Sequence, residues 1–290
     1  MAMVEGAMNC AESRSAASAP NAAGPEPRLL VETQGAVVVW TLNRPDKMNA
    51  LDAAMVEALH AACAEVERAV SDCGPEIGAV VVQGSGARAF AAGADIAELR
   101  ERRAADALAA INSRLFDRVA SLPVPAIAAV RGFALGGGCE LALACDLRVA
   151  GASARFGQPE VTLGIMAAAG GTYRLPSLVG LGRARELLFT GRLVDSSEAL
   201  RIGLCEHVVA DDAVLDFALD LAQRIAGNDG LAVRTTKAAL ARVSHGGGEL
   251  VAAESRSQAV LFESPGKFAR MDAFLAKRAR QSTGSKGDNG

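Results

Sequence analysis

Three consecutive glycines, Gly136-Gly137-Gly138, stand between the apolar run Ala126–Val130 and a second apolar stretch that begins at Cys139. Ala126–Val130 is short, wholly apolar and preceded by Pro123-Val124-Pro125, the pattern of a buried strand. The stretch after the glycines reads as a helix, and a short strand, Asp146–Ala150, follows it. Strands and helices alternating in this way build parallel βα layers, so the fold class is α/β. Glycines at the strand-to-helix switch permit close approach of another group. Two uses are open to them. They serve as a turn or tight packing point, or they let the unpaired N–H groups of a first helical turn face a ligand's developing negative charge.

The alternation extends through the chain. Leu29–Glu32 and Ala36–Leu42, separated by Gln34-Gly35, read as a hairpin. Leu51, Met55, Leu59, Cys63, Val66 and Val70 recur at helical spacing, with a start at Asn49 or Asp52. A strand at Ile77–Gln83 and a long helical stretch from Asp95 to about Leu122 come next. From about Asp211 the pattern becomes helical throughout, in Val214–Ala226, Leu231–Val243, Gly248–Phe262 and Phe268–Arg280. The expected organisation is a disordered tail over 1–27, a core over 28–210, a helical region over 211–280 and a second tail over 281–290. No sequence period of 20 to 50 residues emerges.

Composition narrows the function. A formal net charge of −3 argues against a surface built for nucleic acid or anionic membrane. No stretch of about 20 apolar residues marks a membrane span. The six cysteines form no CxxC pair and no metal-ligand partnership with the three histidines, so no metal site is expected, and the scattered thiols suit a reducing, cytoplasmic setting. His60, His207 and His245 stand outside any catalytic motif, and no P-loop, nucleophile elbow or dinucleotide fingerprint occurs. Carboxylates are therefore the better candidates for acid–base chemistry.

Two further segments matter. Phe90-Ala91-Ala92-Gly93-Ala94-Asp95-Ile96 is a small-residue stretch in which Asp95 suits the cap of the following helix. Arg155-Phe156-Gly157-Gln158-Pro159-Glu160 presents a glutamate in a turn-like setting, ahead of a nearly uncharged run to Gly171.

Together FAAGAD, ALGGGCELALACD, and FGQPE followed by AGGTYRL resemble the crotonase superfamily, and most closely its enoyl-CoA hydratases. LNRPDKMNAL at Leu42–Leu51 and FLAKR at Phe274–Arg278 belong to the same ordered pattern, which spans roughly residues 28–280. The resemblance implies a crotonase-like spiral of ββα units, a helical C-terminal trimerisation region, and a homo-oligomer that is a trimer or a dimer of trimers. It implies an acyl-coenzyme A substrate, whose coenzyme is carried in by the substrate, and no separate cofactor. By motif matching it places the oxyanion donors on the N–H groups of Ala94 and Gly137, beside Gly136, and the catalytic carboxylates on Glu140 and Glu160. It puts Met48, Ala92 and Ile96, next to Asp95, on the adenine wall, and Lys47 and Arg88 at the phosphates. Phe274 and Lys277 would complete the coenzyme pocket from the same or a neighbouring subunit.

Two N–H donors aimed at a thioester oxygen stabilise the enolate formed when water adds to a 2-enoyl thioester. Two glutamates supply the base that activates water and the acid that protonates C2. The expected reaction is reversible syn hydration of a trans-2-enoyl-CoA to a 3-hydroxyacyl-CoA. Ala167-Ala168 replaces the Pro-Gly pair that such hydratases carry, which puts the Ala168 methyl near the expected water and acyl chain. Tyr173 replaces the usual glutamine, and Ser264-Pro265-Gly266 interrupts an acidic segment. Rival readings are double-bond isomerisation, dehydration of another hydroxyacyl-CoA, and a non-catalytic acyl-CoA- or RNA-binding role for the basic cluster Arg100, Arg102 and Arg103.

Overall fold

Valine- and alanine-rich strands without polar alternation need cover on both faces, and a computed structural model of the chain shows how they obtain it. It describes residues 26–71, 77–244, 255–256, 258–263 and 265–284. Most of the two expected tails and most of the predicted helix Gly248–Phe262 lie outside these residues, as does Ser264.

The chain opens with β1 (Leu29–Gln34) and β2 (Val37–Leu42), an antiparallel hairpin turned at Gly35, whose φ of 62° is a conformation that favours glycine. Helix α1 (Ala53–Ser71) follows, and Asp52 Oδ1 accepts from the Met55 N–H at 2.9 Å. Asp52, not Asn49, therefore starts the helix. Each later turn of chain pairs a longer strand with a short one: β3 (Ala79–Gly84) with β4 (Ala89–Ala91), β5 (Ala126–Val130) with β6 (Phe133–Leu135), β7 (Leu147–Gly151) with β8 (Arg155–Gly157). The longer strands join β1, β2 and a late strand, β10 (His207–Val209), in a six-stranded sheet ordered β1-β2-β3-β5-β7-β10, parallel after the hairpin. The short strands and β9 (Val194–Asp195) form a second sheet, β4-β6-β8-β9. Sequence periodicity missed this second sheet, because strands of two or three residues leave no alternation to read.

The two layers on the main sheet follow from the strand's period of two. Val38, Trp40, Leu42, Val80, Val82, Ala126, Ala128 and Val130 point to one side, against α1, α4 (Ile111–Ala120) and α5 (Gly137–Ala144). Val37, Val39, Val81, Ile127 and Ala129 point to the other, where α9 (Val214–Ala226) lays Val214, Ala218 and Ala222 against them. This helix is part of the core, so the break expected at residue 211 does not divide the packing.

The expected single helix from Asp95 to Leu122 is three: α2 (Ile96–Glu101), α3 (Ala104–Ala109) and α4. The physical reason is a second helix start inside it. Asp106 Oδ2 accepts from the Arg103 N–H at 2.7 Å, and Arg102 takes an extended conformation that ends α2. Ala110, at φ 51°, turns the chain again before α4.

Helices α6 (Gly171–Val179) and α7 (Leu181–Thr190) lie between β8 and β9, α8 (Ser196–Ile202) follows β9, and α10 (Gly230–Ser244) follows α9. The C-terminal helix, Pro265–Gly284, returns to α2: Met271 packs with Leu99, Ala107, Ile165 and Phe262, and Arg100 pairs with Asp272. No described helix is long and apolar enough to cross a membrane.

Candidate active site

The strand-to-helix switches after β4 and β6 meet side by side. Gly93 has a φ of 88°, and a β-carbon there would come within 2.9 Å of the Leu135 carbonyl oxygen and 3.3 Å of the Gly137 nitrogen. At Gly138 a β-carbon would strike the Ala91 carbonyl. The glycines thus let two backbones approach as side chains would forbid. Around them the loop is tied to the chain ahead of α1: Ala92 N–H donates to Met48 O at 2.9 Å and Leu51 N–H to Gly93 O at 2.8 Å. Among the described residues neither the Ala94 nor the Gly137 N–H donates a hydrogen bond, and both residues line one cavity. Gly137 opens α5, where first-turn N–H groups have no acceptor within the helix.

Glu140 stands one turn into α5, a helix buried along nearly its whole length. Its Oε1 accepts from the N–H groups of Ala169, at 2.8 Å, and Gly171, at 2.9 Å. Gly171 is the first residue of α6, so this is a second helix N-terminus used to hold a carboxylate. Burial pushes the Glu140 carboxyl up from its ordinary value, while these two N–H groups and the Arg174 guanidinium pull it back. Arg174 also donates to the Ala169 carbonyl at 3.1 Å and to Asp117 at 2.5 Å, and Tyr173 donates to the same Asp117 oxygen at 2.8 Å. The loop that supplies Glu140's donors is therefore anchored to α4.

Glu160 lies on a short 3-10 helix, Pro159–Leu163, with an oxygen against Gly136, where a β-carbon would come within 3.1 Å of it. Burial and the neighbouring Glu140 charge push its carboxyl well above the ordinary range. The buried Gln158 amide faces it. With its nitrogen turned toward the carboxyl, Gln158 donates to Oε1 and Oε2 at 3.0 and 3.2 Å. With its oxygen turned there, it accepts the proton of a neutral Glu160. The two carboxyls are therefore unlike: burial raises both, and Glu160 more strongly, because Glu140 accepts two backbone N–H groups while Glu160 faces the Glu140 charge. Cys139, between the two loops, is no rival nucleophile, since burial pushes its thiol up to about 12.

Of the other residues expected here, Ala92, Ile96, Gly136 and Ala168 line the cavity. Ala168 also accepts from Ser113 Oγ at 2.7 Å through its carbonyl. Met48 stands at the rim through its bond to Ala92, outside the lining. Lys47 and Arg88 are exposed and apart from it. Asp95 turns to structural work: although burial raises its carboxyl, the Ala97 N–H and Arg44 hold it low, capping α2 and tying it to the segment before α1. Phe274 and Lys277 lie on the C-terminal helix and do not line the cavity of their own chain. In the basic cluster, Arg100 pairs with Glu101 and Asp272, and Arg103 covers the Phe268 ring. Arg174, Ser113, Gln158 and Asn112 belong to the site and went unread; only the Gly170-Gly171 pair before Arg174 hinted at a helix start aimed inward.

A model of the family described as enoyl-CoA hydratase/isomerase matches residues 32–284. The short-chain-enoyl-CoA hydratase of Clostridium acetobutylicum is 39% identical over 253 residues, 86% of this chain and 95% of that protein. A probable enoyl-CoA hydratase of Rhizobium meliloti is 44% identical over 257 residues, with coverage of 86% and 95%. The crystal structure of an enoyl-CoA hydratase from Bacillus anthracis superimposes with a TM-score of 0.71 at 34% identity, covering 86% of this chain and 96% of that one. With two glycine-bearing loops converging on paired carboxyls, and relatives matched over most of their length, the chain belongs to the enoyl-CoA hydratase/isomerase family.

Proposed function

We propose that this chain is a hydro-lyase that adds water reversibly to a trans-2-enoyl-CoA, giving the 3-hydroxyacyl-CoA. One observation carries the reading: two buried glutamates, one of them accepting two backbone N–H groups, share one cavity with the Ala94 and Gly137 N–H groups, which have no acceptor among the described residues. The thioester oxygen takes the N–H groups of Ala94 and Gly137, which stabilise the enolate as charge moves onto it; one such donor is worth on the order of 3 kcal/mol. Glu140, held as the carboxylate, removes a proton from water as the oxygen attacks C3. Glu160 gives its proton to C2. Both act from the same side of the substrate, which makes the addition syn. The chemistry needs no cofactor beyond the coenzyme in the substrate.

The coenzyme would run past Ala92, Ile96 and Met48, with Lys47 and Arg88 toward its phosphates. Phe274 and Lys277 would close it from a neighbouring subunit of a trimer or dimer of trimers, with the helices after α9 making the subunit contacts. Four buried free thiols, Cys63, Cys139, Cys145 and Cys205, support a reducing, cytoplasmic setting. The test is direct. Purified enzyme with 2-butenoyl-CoA should bleach the absorbance of the conjugated thioester and yield the 3-hydroxy product by chromatography. Product with a shifted double bond and no added water, or no reaction, overturns the reading.

A further inference from the structure

The acyl cavity contains a charge that nothing in the proposed chemistry uses. Arg102, on the turn between α2 and α3, lines it beside Leu99 and Ala107, members of the apolar cluster that includes Ile165 and Phe262. Desolvation lowers its guanidinium from the ordinary value, a sign of how little water reaches it. Among the described residues its side chain makes no hydrogen bond or ion pair. Acids stand nearby, yet most are committed elsewhere. Asp106 accepts from the Arg103 N–H, Glu263 from the Ala104 N–H at 2.9 Å, and Glu101 and Asp272 hold Arg100. Glu98 and Asp106 act on Arg102 only at a distance. Lys267 adds positive charge alongside, donating to the Arg102 carbonyl at 2.5 Å. In the same cavity the Oδ1 of Asn112 is buried without a partner among the described residues.

An unpaired guanidinium in a largely apolar pocket is costly, and two polar groups left open on one cavity wall are complementary to something that enters it. A planar fork of N–H donors matches a carboxylate, and an amide can turn its nitrogen toward the same group. We infer that the preferred substrate is a 2-enoyl-CoA whose acyl chain ends in a carboxylate, which Arg102 recognises. This rests on the hydration reading and names its substrate class.

The wild-type enzyme should be assayed on six-carbon 2-enoyl-CoAs ending either in a carboxylate or in a methyl group. We expect kcat/KM at least tenfold higher for the carboxylate-ended thioester. In Arg102→Met the ratio of the two kcat/KM values should fall by ten- to a hundredfold, and Arg102→Lys should retain part of it. No preference in the wild-type enzyme overturns the inference. So does an equal rise in KM for both substrates in Arg102→Met, which would assign Arg102 to a phosphate of the coenzyme. Equilibrium binding of the two saturated thioesters reads the same preference without turnover, so its absence there overturns the specificity even where hydration stands. Hydration of neither six-carbon thioester nor of 2-butenoyl-CoA strikes down the reaction itself, and the specificity with it.

Discussion

At the scale of single residues, Glu140 receives two backbone N–H groups that Glu160 does not, and the proposed division of base and acid rests on that difference. Glu140→Gln and Glu160→Gln should each lower kcat by roughly 10²- to 10⁴-fold, with the Kd for a saturated acyl-CoA changed only a few-fold, as steady-state rates and calorimetry would show. With Glu160 as the proposed proton donor, hydration should decline on the alkaline side as it titrates, above the usual carboxylate range. The sign for stability is the same. A carboxyl raised in the folded state stabilises fully below its unfolded value, near 4.5, and loses that contribution as pH rises through the folded value. Glu160→Gln should therefore melt higher than the wild type at neutral pH, with the gap closing in acid. Gly93→Ala meets both a positive φ and the Leu135 carbonyl, and should cut kcat through displaced N–H donors. Glu140, Glu160, Ala94 and Gly137 were legible because several motifs occur in order. Arg174, Ser113 and Gln158 were not, since each matters through a contact with a residue distant in the chain or through the neighbour it faces in space, and a local pattern carries neither.

At the scale of elements, the segment before α1 is held by one buried amide. Asn49, in a left-handed conformation, donates to the carbonyls of Ser85, at 3.0 Å, and Ala89, at 2.8 Å, and accepts from the Arg44 N–H at 3.0 Å. Asn49→Ala would leave buried carbonyls unsatisfied and should cost about 2–3 kcal/mol, read as a lower urea midpoint with an unchanged slope. Sequence reading left the helix start open between Asn49 and Asp52, because an asparagine or aspartate ahead of a helical period is ordinarily a cap. The long strands and α1 were legible from apolar content and spacing. The division of 95–122 into three helices was not, since Arg102 and Ala110 break it by conformation while the composition stays alanine-rich.

For the whole molecule, the shared core makes a prediction about where the chain can be cut. Ending it after residue 210 removes α9 and uncovers Val37, Val39, Val81 and Ile127 together, so the shortened chain should be insoluble or lack a cooperative melting transition. A well-folded 1–210 fragment with a sharp transition would show that the helical region is separable after all. The α/β class was legible from alternation and the spiral only through the family resemblance, and the register shows why periodicity did not reveal it. Val37 pairs with Ala79, Val80 with Ala126, Ile127 with Leu147 and Val149 with His207, so the turns consume unequal lengths of chain and no common period arises. That inequality has an evolutionary side. The excursion holding α2 and α3 carries part of the cavity wall, while α4 beyond it anchors the loop that holds Glu140, so insertions or exchanges in α2 and α3 can retune which acyl group is accepted without disturbing the layers that keep the carboxyls in place.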